Sequence, residues 1–338
     1  MVRQLADDGA ALWDAFVLAH PEATFFHLAG WKTVLERALG HRTHYLYTEA
    51  DGRITGVLPL VHVKSLLFGN SLSSLAFCAC GGALAADEGA VAALERAAVD
   101  LGRELGVDAV EFRYRRRSAV ARPVKLLYET FSKPLHADMD ANMQAIRSKQ
   151  RNIIRKGMKN GLESREDGIE NFYAAYSESV RNLGTPVFPQ ALFAALCAVF
   201  PQHVQILSVY HGETIISSAM NFYFRDAVCP YYWGGVQAAR QLNGNDFLAW
   251  EIMRHAAGRG CTVFDFGRSK KETGAYQWKL NLGFTPTPLY YEYELVRAAE
   301  IPDINPLNPK YRLLVAAWKR LPLPVSRLVG PWLARNLG

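Results

Sequence analysis

Between Cys261 and Phe284 the chain reads CTVFDFGRSKKETGAYQWKLNLGF, a stretch that concentrates residues able to do chemistry. A short β-branched and aromatic run, Thr262-Val263-Phe264, carries Asp265 in alternation and breaks at Gly267. A polar, basic loop follows, Arg268-Ser269-Lys270-Lys271-Glu272-Thr273-Gly274, and then Tyr276 and Trp278 close to Lys279. A strand that ends in a charged, glycine-flanked loop suits reacting groups, because the strand is rigid and the loop is open to substrate. The same residues also fit an ordinary strand, turn and helix with solvated charges.

Two further constellations lie near it in sequence. Pro230-Tyr231-Tyr232-Trp233-Gly234-Gly235 joins aromatics to a glycine pair, as where backbone approaches a ligand closely. The turn Arg240-Gln241-Leu242-Asn243-Gly244-Asn245-Asp246 runs into an apolar helix. Free N–H groups and the positive dipole end of such a helix can seat a phosphate or an oxyanion, although Asn or Asp there is more often just a cap. Between Asn142 and Arg165 stand Arg147, Lys149, Arg151, Arg155, Lys156, Lys159 and Arg165 against one acid, Glu163, an excess equal to the whole chain's +6. Arg147, Arg151, Arg155 and Lys159 recur every four residues and form one row on a helix. The row points to an anionic partner, namely a phosphate-bearing donor, nucleic acid or an acidic lipid surface, with a solvated helix face as the alternative.

Other chemistries find no support. GxSxG, HExxH, GxxxxGK[ST] and GxGxxG are all absent. His41 and His44 have a spacing seen at metal sites but no carboxylate or cysteine company, and read as a surface pair; no metal is expected. Cys78 and Cys80 read as small core residues on one strand face. Five cysteines without framework spacing fit a reducing compartment, and the N-terminus, with Asp7, Asp8 and Asp14, is not a secretory signal. Half of the 338 residues are hydrophobic and 21% charged, as expected of a globular chain with room for two domains. The uncharged segment Ser65–Ala86 is long enough to span a bilayer, yet its Gly69-Asn70 and Gly81-Gly82 breaks favour short buried strands.

The elements that must position these groups repeat. Residues 8–20, with Asp7 or Asp8 as cap, and 29–39 read as helices, 45–48 and 54–63 as a hairpin about Asp51-Gly52, 88–105 as a helix ended by Gly106, and 107–114 as a strand. In the second half 204–210 and 214–224 form a hairpin about His211-Gly212, 229–235 is an apolar run, 247–257 a helix and 262–266 a strand. Helices over 167–183 and 189–199 precede this set. Gly52 to Gly106 spans 54 residues and Gly212 to Gly260 spans 48, and Glu111-Phe112-Arg113 echoes Asp265-Phe266-Gly267-Arg268. A duplicated α/β unit follows, with domains at 1–135 and 136–298. Residues 299–338 form a Pro/Asn linker, IPDINPLNPK, and a tail from Lys310 holding six basic residues and no acid. That tail suits either a membrane surface or packing across its own domain.

From about Trp31 to Leu295 the chain resembles the FemAB-like branch of the GNAT-fold transferases, in particular members associated with exosortase (PEP-CTERM) exopolysaccharide systems. The carrying motifs are GVLPL at 56–60, KQRNIIRKGMKNGL at 149–162, LGTPVFP at 183–189, PYYWGG at 230–235, NDFLAWEIM at 245–253 and FDFGRSKKETGAYQWKLNLGF at 264–284. The resemblance implies an α/β (α+β) fold of two tandem GNAT-like domains with mixed sheets, and an acyl- or aminoacyltransferase acting on a cell-envelope or exopolysaccharide precursor. Trp278-Lys279 matches the step whose lysine the family places near the donor ester. On this reading Lys279 stabilises an oxyanion or phosphate and Asp265 orients or deprotonates the acceptor. Arg268, Ser269, Tyr231, Tyr232, Asn221 and Thr185 bind the acceptor. Arg147, Arg151, Arg155 and Lys159, with Gly244 and Asn245, hold the donor's phosphates. No cofactor is permanently bound; the cosubstrate is acyl-CoA or aminoacyl-tRNA, and tRNA, a polysaccharide or lipid-linked acceptor and the anionic inner face of the plasma membrane are the expected partners of a cytoplasmic protein. Two departures stand out. No long heptad arm is present, and Gln241-x-x-Gly244-x-Asp246 only partly resembles an acyl-CoA pyrophosphate signature, its last small residue being Asp246. The other readings are acyl-CoA-dependent N-acetylation of a sugar or small amine, and a non-catalytic membrane-associated assembly factor.

Overall fold

The computed structural model describes residues 1–65, 67–302 and 312–337, so most of the IPDINPLNPK linker and Lys310 lie outside the described residues. The chain forms two compact units. Unit 1 takes Met1–Leu127, the stretch beginning at Pro288 and the residues from Trp332; unit 2 takes Tyr128–Thr287 and the tail up to Pro331.

The first elements are β1 (Val2–Gln4), α1 (Ala10–Ala19), α2 (Gly30–Leu39), β2 (Arg42–Ala50), β3 (Arg53–Ser65), β4 (Gly69–Ser74), β5 (Leu84–Ala85), α3 (Glu88–Leu105), β6 (Ala109–Tyr114) and β7 (Val124–Lys125). There follow β8 (Tyr128–Pro134), α4 (Met139–Gln144), α5 (Ser148–Lys159), β9 (Leu162–Glu166), α6 (Ile169–Leu183), α7 (Gln190–Val199), β10 (Val204–His211), β11 (Thr214–Phe224) and β12 (Ala227–Gly235). The last are α8 (Ala238–Leu242), α9 (Gly244–Gly258), β13 (Val263–Lys270), α10 (Gly274–Asn281), β14 (Thr285–Pro288), β15 (Tyr290–Leu295), α11 (Arg312–Lys319) and α12 (Leu323–Ala334).

The sheet of unit 1 runs β1-β2-β3-β4-β6-β15-β7, and that of unit 2 runs β14-β8-β13-β12-β11-β10-β9. Read from opposite ends, the two orders agree position by position. In each, one parallel pair (β4 with β6, β12 with β13) interrupts antiparallel neighbours, and an antiparallel strand from elsewhere in the chain flanks it. The flanking strand of unit 1 is β15, which follows the second half in sequence. That of unit 2 is β8, which precedes it. The repeat visible in the sequence is therefore two mixed sheets of one topology.

In unit 1, α3 lays Leu94 and Ala98 on Leu58, Leu60, Leu72, Val110 and Phe112 of the sheet. A buried polar network ties three strands together: the Glu111 carboxylate on β6 accepts from Ser73 Oγ of β4 at 2.6 Å, from Tyr293 Oη of β15 at 2.7 Å and from Arg113 at 2.8 and 3.0 Å. Burial pushes the Glu111 carboxyl up, but Arg113 and the two hydroxyls outweigh it and hold the group below its ordinary range. Removing Arg113 would leave that charge buried and uncompensated. Arg113→Met is expected to destabilise unit 1 by about 3–5 kcal/mol. Urea unfolding of the full chain checks it; an unchanged first transition would show that the network carries no stability.

Three sequence expectations change. His41 and His44 are buried, not a surface pair, with His41 Nε2 meeting the Arg335 carbonyl. Cys78 and Cys80 lie in a bend after β4, where Leu75 and Phe77 take positive φ, so they share no strand face. Helix α1 has Gly9 as its N-cap and no side-chain cap from an aspartate. Ser65–Ala86 holds β4 and β5, and among the described residues no helix is long and apolar enough to cross a membrane.

Unit 2 packs α5, α9 and α10 against one core that includes Phe131, Leu207, Val209, Leu248, Ile252, Phe264, Phe266 and Phe284. Close contact of α5 with α9 depends on Gly157, where a Cβ would stand 3.1 Å from Phe247 Cβ.

Candidate active site

The alternation of β13 puts Phe264 and Phe266 into the core, and the strand does not stop at Gly267 as its composition suggests. Gly267 takes φ +60°, and the register against β8 shifts between Asp265↔Ser132 and Arg268↔Thr130. Two residues, Phe266 and Gly267, thus oppose one, which is a β-bulge with glycine in the left-handed position. Pairing then resumes, so Arg268, Ser269 and Lys270 are strand and not loop. The missed signal was β8 itself: Tyr128-Glu129-Thr130-Phe131 has strand-forming residue types, and it supplies the edge that β13 needs.

Side chains hold the bulge from two directions. Asp265 Oδ1 accepts from the Gly267 N–H at 2.9 Å and from Thr130 Oγ1 at 3.2 Å. Lys279, buried on α10, donates from Nζ to the carbonyls of Phe266, Gly267 and Arg268 at 2.7, 3.2 and 3.3 Å, with the rings of Phe131 and Phe266 each 5.1 Å away. An ammonium has three protons, and here each has a carbonyl. Burial pulls Lys279 down to about 8, against the upward pull of Cys229 and Asp265.

On the other side of the bulge, β12 and β13 pair in parallel only at Ala227↔Val263 and Val228↔Phe264, although β12 runs on to Gly235 and β13 to Lys270. Beyond those rungs the two strands have no further pairing among the described residues. The divergence leaves an opening between the two strands beside the bulge. Tyr231 borders it: a Cβ on Gly267 would lie 3.7 Å from Tyr231 Cδ2. Trp233, Phe266 and Trp278 form an aromatic cluster with ring centroids 5.2 to 5.7 Å apart. Trp233 Nε1 donates to Asn245 Oδ1 at 3.0 Å and Trp278 Nε1 to Asp246 Oδ1 at 2.7 Å, which brings the first turn of α9 to the site. Gln150 of α5 also donates to Asp246 Oδ1. Burial raises the Asp246 carboxyl, and the hydrogen bonds from Trp278 and Gln150 oppose that. The helix N-terminus read as a phosphate seat thus already holds a carboxylate of the chain itself.

The predicted residues are gathered unevenly. Asp265, Arg268, Ser269, Tyr231, Lys279, Gly244 and Asn245 belong to β12, β13, α9 and α10 around the opening. Arg268 lies over the Tyr128 ring at 4.7 Å, and Ser269 is buried. Arg147 caps α5 and bonds Asn281 of α10, Arg151 bonds the carbonyls of Gln144 and Ile146, and Arg155 and Lys159 are exposed. No carboxylate pairs with any of these four among the described residues. Tyr232 is buried on the opposite sheet face among Tyr176, Phe188 and Phe193. Asn221, fully buried on β11 opposite Pro230, has neither side-chain polar atom hydrogen-bonded, and Thr185 follows α6 on an exposed turn. No cluster of three or more His, Cys, Asp or Glu able to hold a metal occurs among the described residues.

Unit 1 holds a cavity of about 420 Å³ that sequence reading missed. It opens beside the first turns of α3 and the end of β6, lined by His27, Cys80, Glu95, Tyr114 and Arg115 to Arg117 among others. The visible signal was Arg-Tyr-Arg-Arg-Arg over 113–117, directly after the strand that echoes β13. Burial drops His27 to about 4, so it is neutral there.

Comparison with known proteins accords with this geometry. Residues 143–280 match the family model of the acetyltransferase (GNAT) domain. The solved structure of FemX superposes with a TM-score of 0.66 at 13% identity, covering 93% of this chain and 100% of that one. A tandem GNAT protein from the clavulanic acid biosynthesis pathway gives 0.56 at 11% identity, covering 89% and 99%. The fold is that of tandem GNAT domains. L-PGS from Bacillus licheniformis gives 0.54 at 13%, covering 88% and 96%. Curated protein sequences gave no match. The GNAT-matched segment contains the bulge, α5, the α9 N-terminus and Lys279, and lies within unit 2.

One pH effect follows from the core of unit 2. Lys133 Nζ donates to the Leu282 carbonyl at 3.1 Å beside the Phe284 ring, and burial lowers it, like Lys279, from 10.5 to about 8. Below pH 8 both states carry both protons and the cost of burying the charges is borne in full. Above it the folded chain sheds protons that the unfolded chain keeps, so stability rises with pH, by at most about 3 kcal/mol per lysine. Near pH 10 the trend reverses, since Tyr223 is pushed up to about 12 by burial and holds its proton when the unfolded chain has lost it. Urea midpoints for the chain should therefore be higher at pH 9.5 than at 7.5, and Lys133→Met should flatten the slope.

Proposed function

We propose that this chain transfers an activated aminoacyl or acyl group to an amine or hydroxyl of a cell-envelope or exopolysaccharide precursor, with unit 2 as the catalytic half. The observation that carries the reading is the divergence of β12 from β13 at a bulge that Asp265 and Lys279 hold in shape. An extended ester or thioester donor laid between β12 and β13 brings its carbonyl to the bulge, whose fixed geometry suits preorganised stabilisation of a tetrahedral oxyanion. Lys279 then acts by positioning the bulge, Asp265 and Tyr231 border the reacting carbonyl, and Arg268 with Ser269 contacts the acceptor. Arg147, Arg151, Arg155 and Lys159 supply a positive face for donor phosphates.

Aminoacyl-tRNA is the donor favoured over acyl-CoA. Asp246 already fills the first turn of α9 with negative charge, where a pyrophosphate would have to sit, and the exposed basic face of α5 suits a longer polyanion. Similarity to FemX and to a lysylphosphatidylglycerol synthase accords with aminoacyl transfer. The acceptor class rests on the resemblance to exosortase-associated proteins. The test incubates the full chain with labelled aminoacyl-tRNA or labelled acyl-CoA and a membrane lipid fraction. Label should pass to lipid from the tRNA and not from CoA, and Arg155→Glu with Lys159→Glu should cut transfer about tenfold or more through lost phosphate contacts. Transfer from acyl-CoA alone would overturn the donor assignment; transfer from neither would overturn the reading.

A further inference from the structure

The two C-terminal helices leave an apolar face uncovered. On the unit 2 part of α12, Ser326 and Gly330 are the buried residues; Gly330 packs on Val187, and Arg327 donates to Ser177 Oγ at 2.8 Å. At about 100° per residue these buried positions centre on one side of the helix, and Val325, Leu328 and Val329 fall on the other. All three are exposed, Leu328 at 81%. Helix α11 repeats the pattern. Val315 packs against Gly184, while Leu313 and Leu314 stand 85% and 67% exposed. Leu183, at the end of α6 next to Gly184, is 68% exposed as well. Soluble chains scatter single apolar residues over their surfaces; two consecutive helices each turning leucines outward form a docking face.

We infer that this face of α11 and α12 binds the surface of an anionic lipid bilayer. Charge selects the occupant. The described part of the tail within unit 2 carries Arg312, Lys319, Arg320 and Arg327 and no acid, and Lys319 and Arg320 are exposed at the end of α11. A second copy docked by twofold symmetry would place this patch against itself, basic side chains facing basic side chains. A bilayer with anionic headgroups meets the same residues with opposite charge, and takes outward leucines and valines into its acyl boundary. The helices thus do both things the sequence left open: one face packs on unit 2, and the other is offered to lipid.

The test is co-sedimentation of the full chain with phosphatidylcholine vesicles, with and without phosphatidylglycerol. Binding is expected only with phosphatidylglycerol, weakening as salt rises. Leu328→Glu should lower the affinity at least tenfold with an unchanged melting temperature, since that side chain touches solvent. Lys319→Glu with Arg320→Glu should lower it about tenfold or more. No binding to either vesicle, binding untouched by these variants, or a dimer in sedimentation equilibrium that Leu328→Glu dissociates would each overturn the inference. No substrate enters the assay, so its failure leaves the transfer reading standing.

Discussion

Replacing Lys279 with methionine should cut transfer about a hundredfold, because it loosens the one backbone bulge on which the reacting geometry depends. The stability effect is a difference of two opposing terms. Three carbonyls, those of Phe266, Gly267 and Arg268, lose their donor, and each buried acceptor left unsatisfied costs about 1–3 kcal/mol. Against this, the buried charge whose lowered pKa marks its cost disappears, returning about 3 kcal/mol. The carbonyl term wins, and a net loss of about 2 kcal/mol is expected at pH 7. Lys279→Arg should not rescue, since a planar fork cannot converge on three consecutive carbonyls between two phenyl rings. A mutant that melts lower yet transfers at the wild-type rate would sink the positioning role.

The pH dependence separates this role from direct attack or proton transfer by the lysine. A neutral amine has two protons for three carbonyls, so activity should fall as pH rises through about 8, the value to which burial brings Lys279. Stability rises over the same interval. An amine acting as nucleophile or base would instead gain activity as it deprotonates. Opposite slopes of activity and stability between pH 7.5 and 9.5 are therefore the signature of a positioning lysine, and parallel slopes would exclude it.

How far this was readable from sequence depends on the physics behind each feature. The hairpin about Asp51-Gly52, the helix ended by Gly106 and β11 over Thr214–Phe224 follow from local periodicity and turn chemistry, and they stand where expected. So does the repeat, since its order is carried by local signals. What local signals do not carry is long-range pairing. Strand β8, seven residues, gains its place by lying along β13, and β15 gains its place along β6, more than 170 residues away. The reading of Gly267 as a stop failed for the same reason: with no partner strand in view, a left-handed glycine in a strand looks like an end and not a bulge. Lys279 was visible as a residue of interest. That its three protons would all be taken by Phe266, Gly267 and Arg268 could not be seen without the bulge. Asp246 looked like a cap or a defect in a phosphate signature; its role came into view only with Trp278 and Gln150, which are distant in sequence.

Gly283→Ala should damage unit 2 severely for a single added methyl group. Gly283 takes φ +84°, which costs a residue with a Cβ about 1–2 kcal/mol. The added Cβ would also stand 2.4 Å from the Ala145 carbonyl oxygen, and backbone cannot swing aside as a side-chain tip can. Overpacking of this kind costs a further 1–3 kcal/mol or so, giving about 3 kcal/mol in all and a melting temperature lower by roughly 6–12 °C. The displacement has one direction to go. The end of α10 is tied to the start of α5 by the Arg147 N–H to the Asn281 carbonyl and by Arg147 Nη1 to Asn281 Oδ1, so parting Gly283 from Ala145 pulls on both helices. Helix α10 carries Lys279 and α5 carries the basic row, and transfer should therefore fall by more than the loss of folded protein explains. Gly274→Ala is the control: it begins the same helix, has ordinary φ and would meet nothing within 4 Å, so it should melt within about 1 °C of wild type. If Gly283→Ala melted like Gly274→Ala, the junction of α10 with Ala145 would not be the rigid seat that the bulge requires.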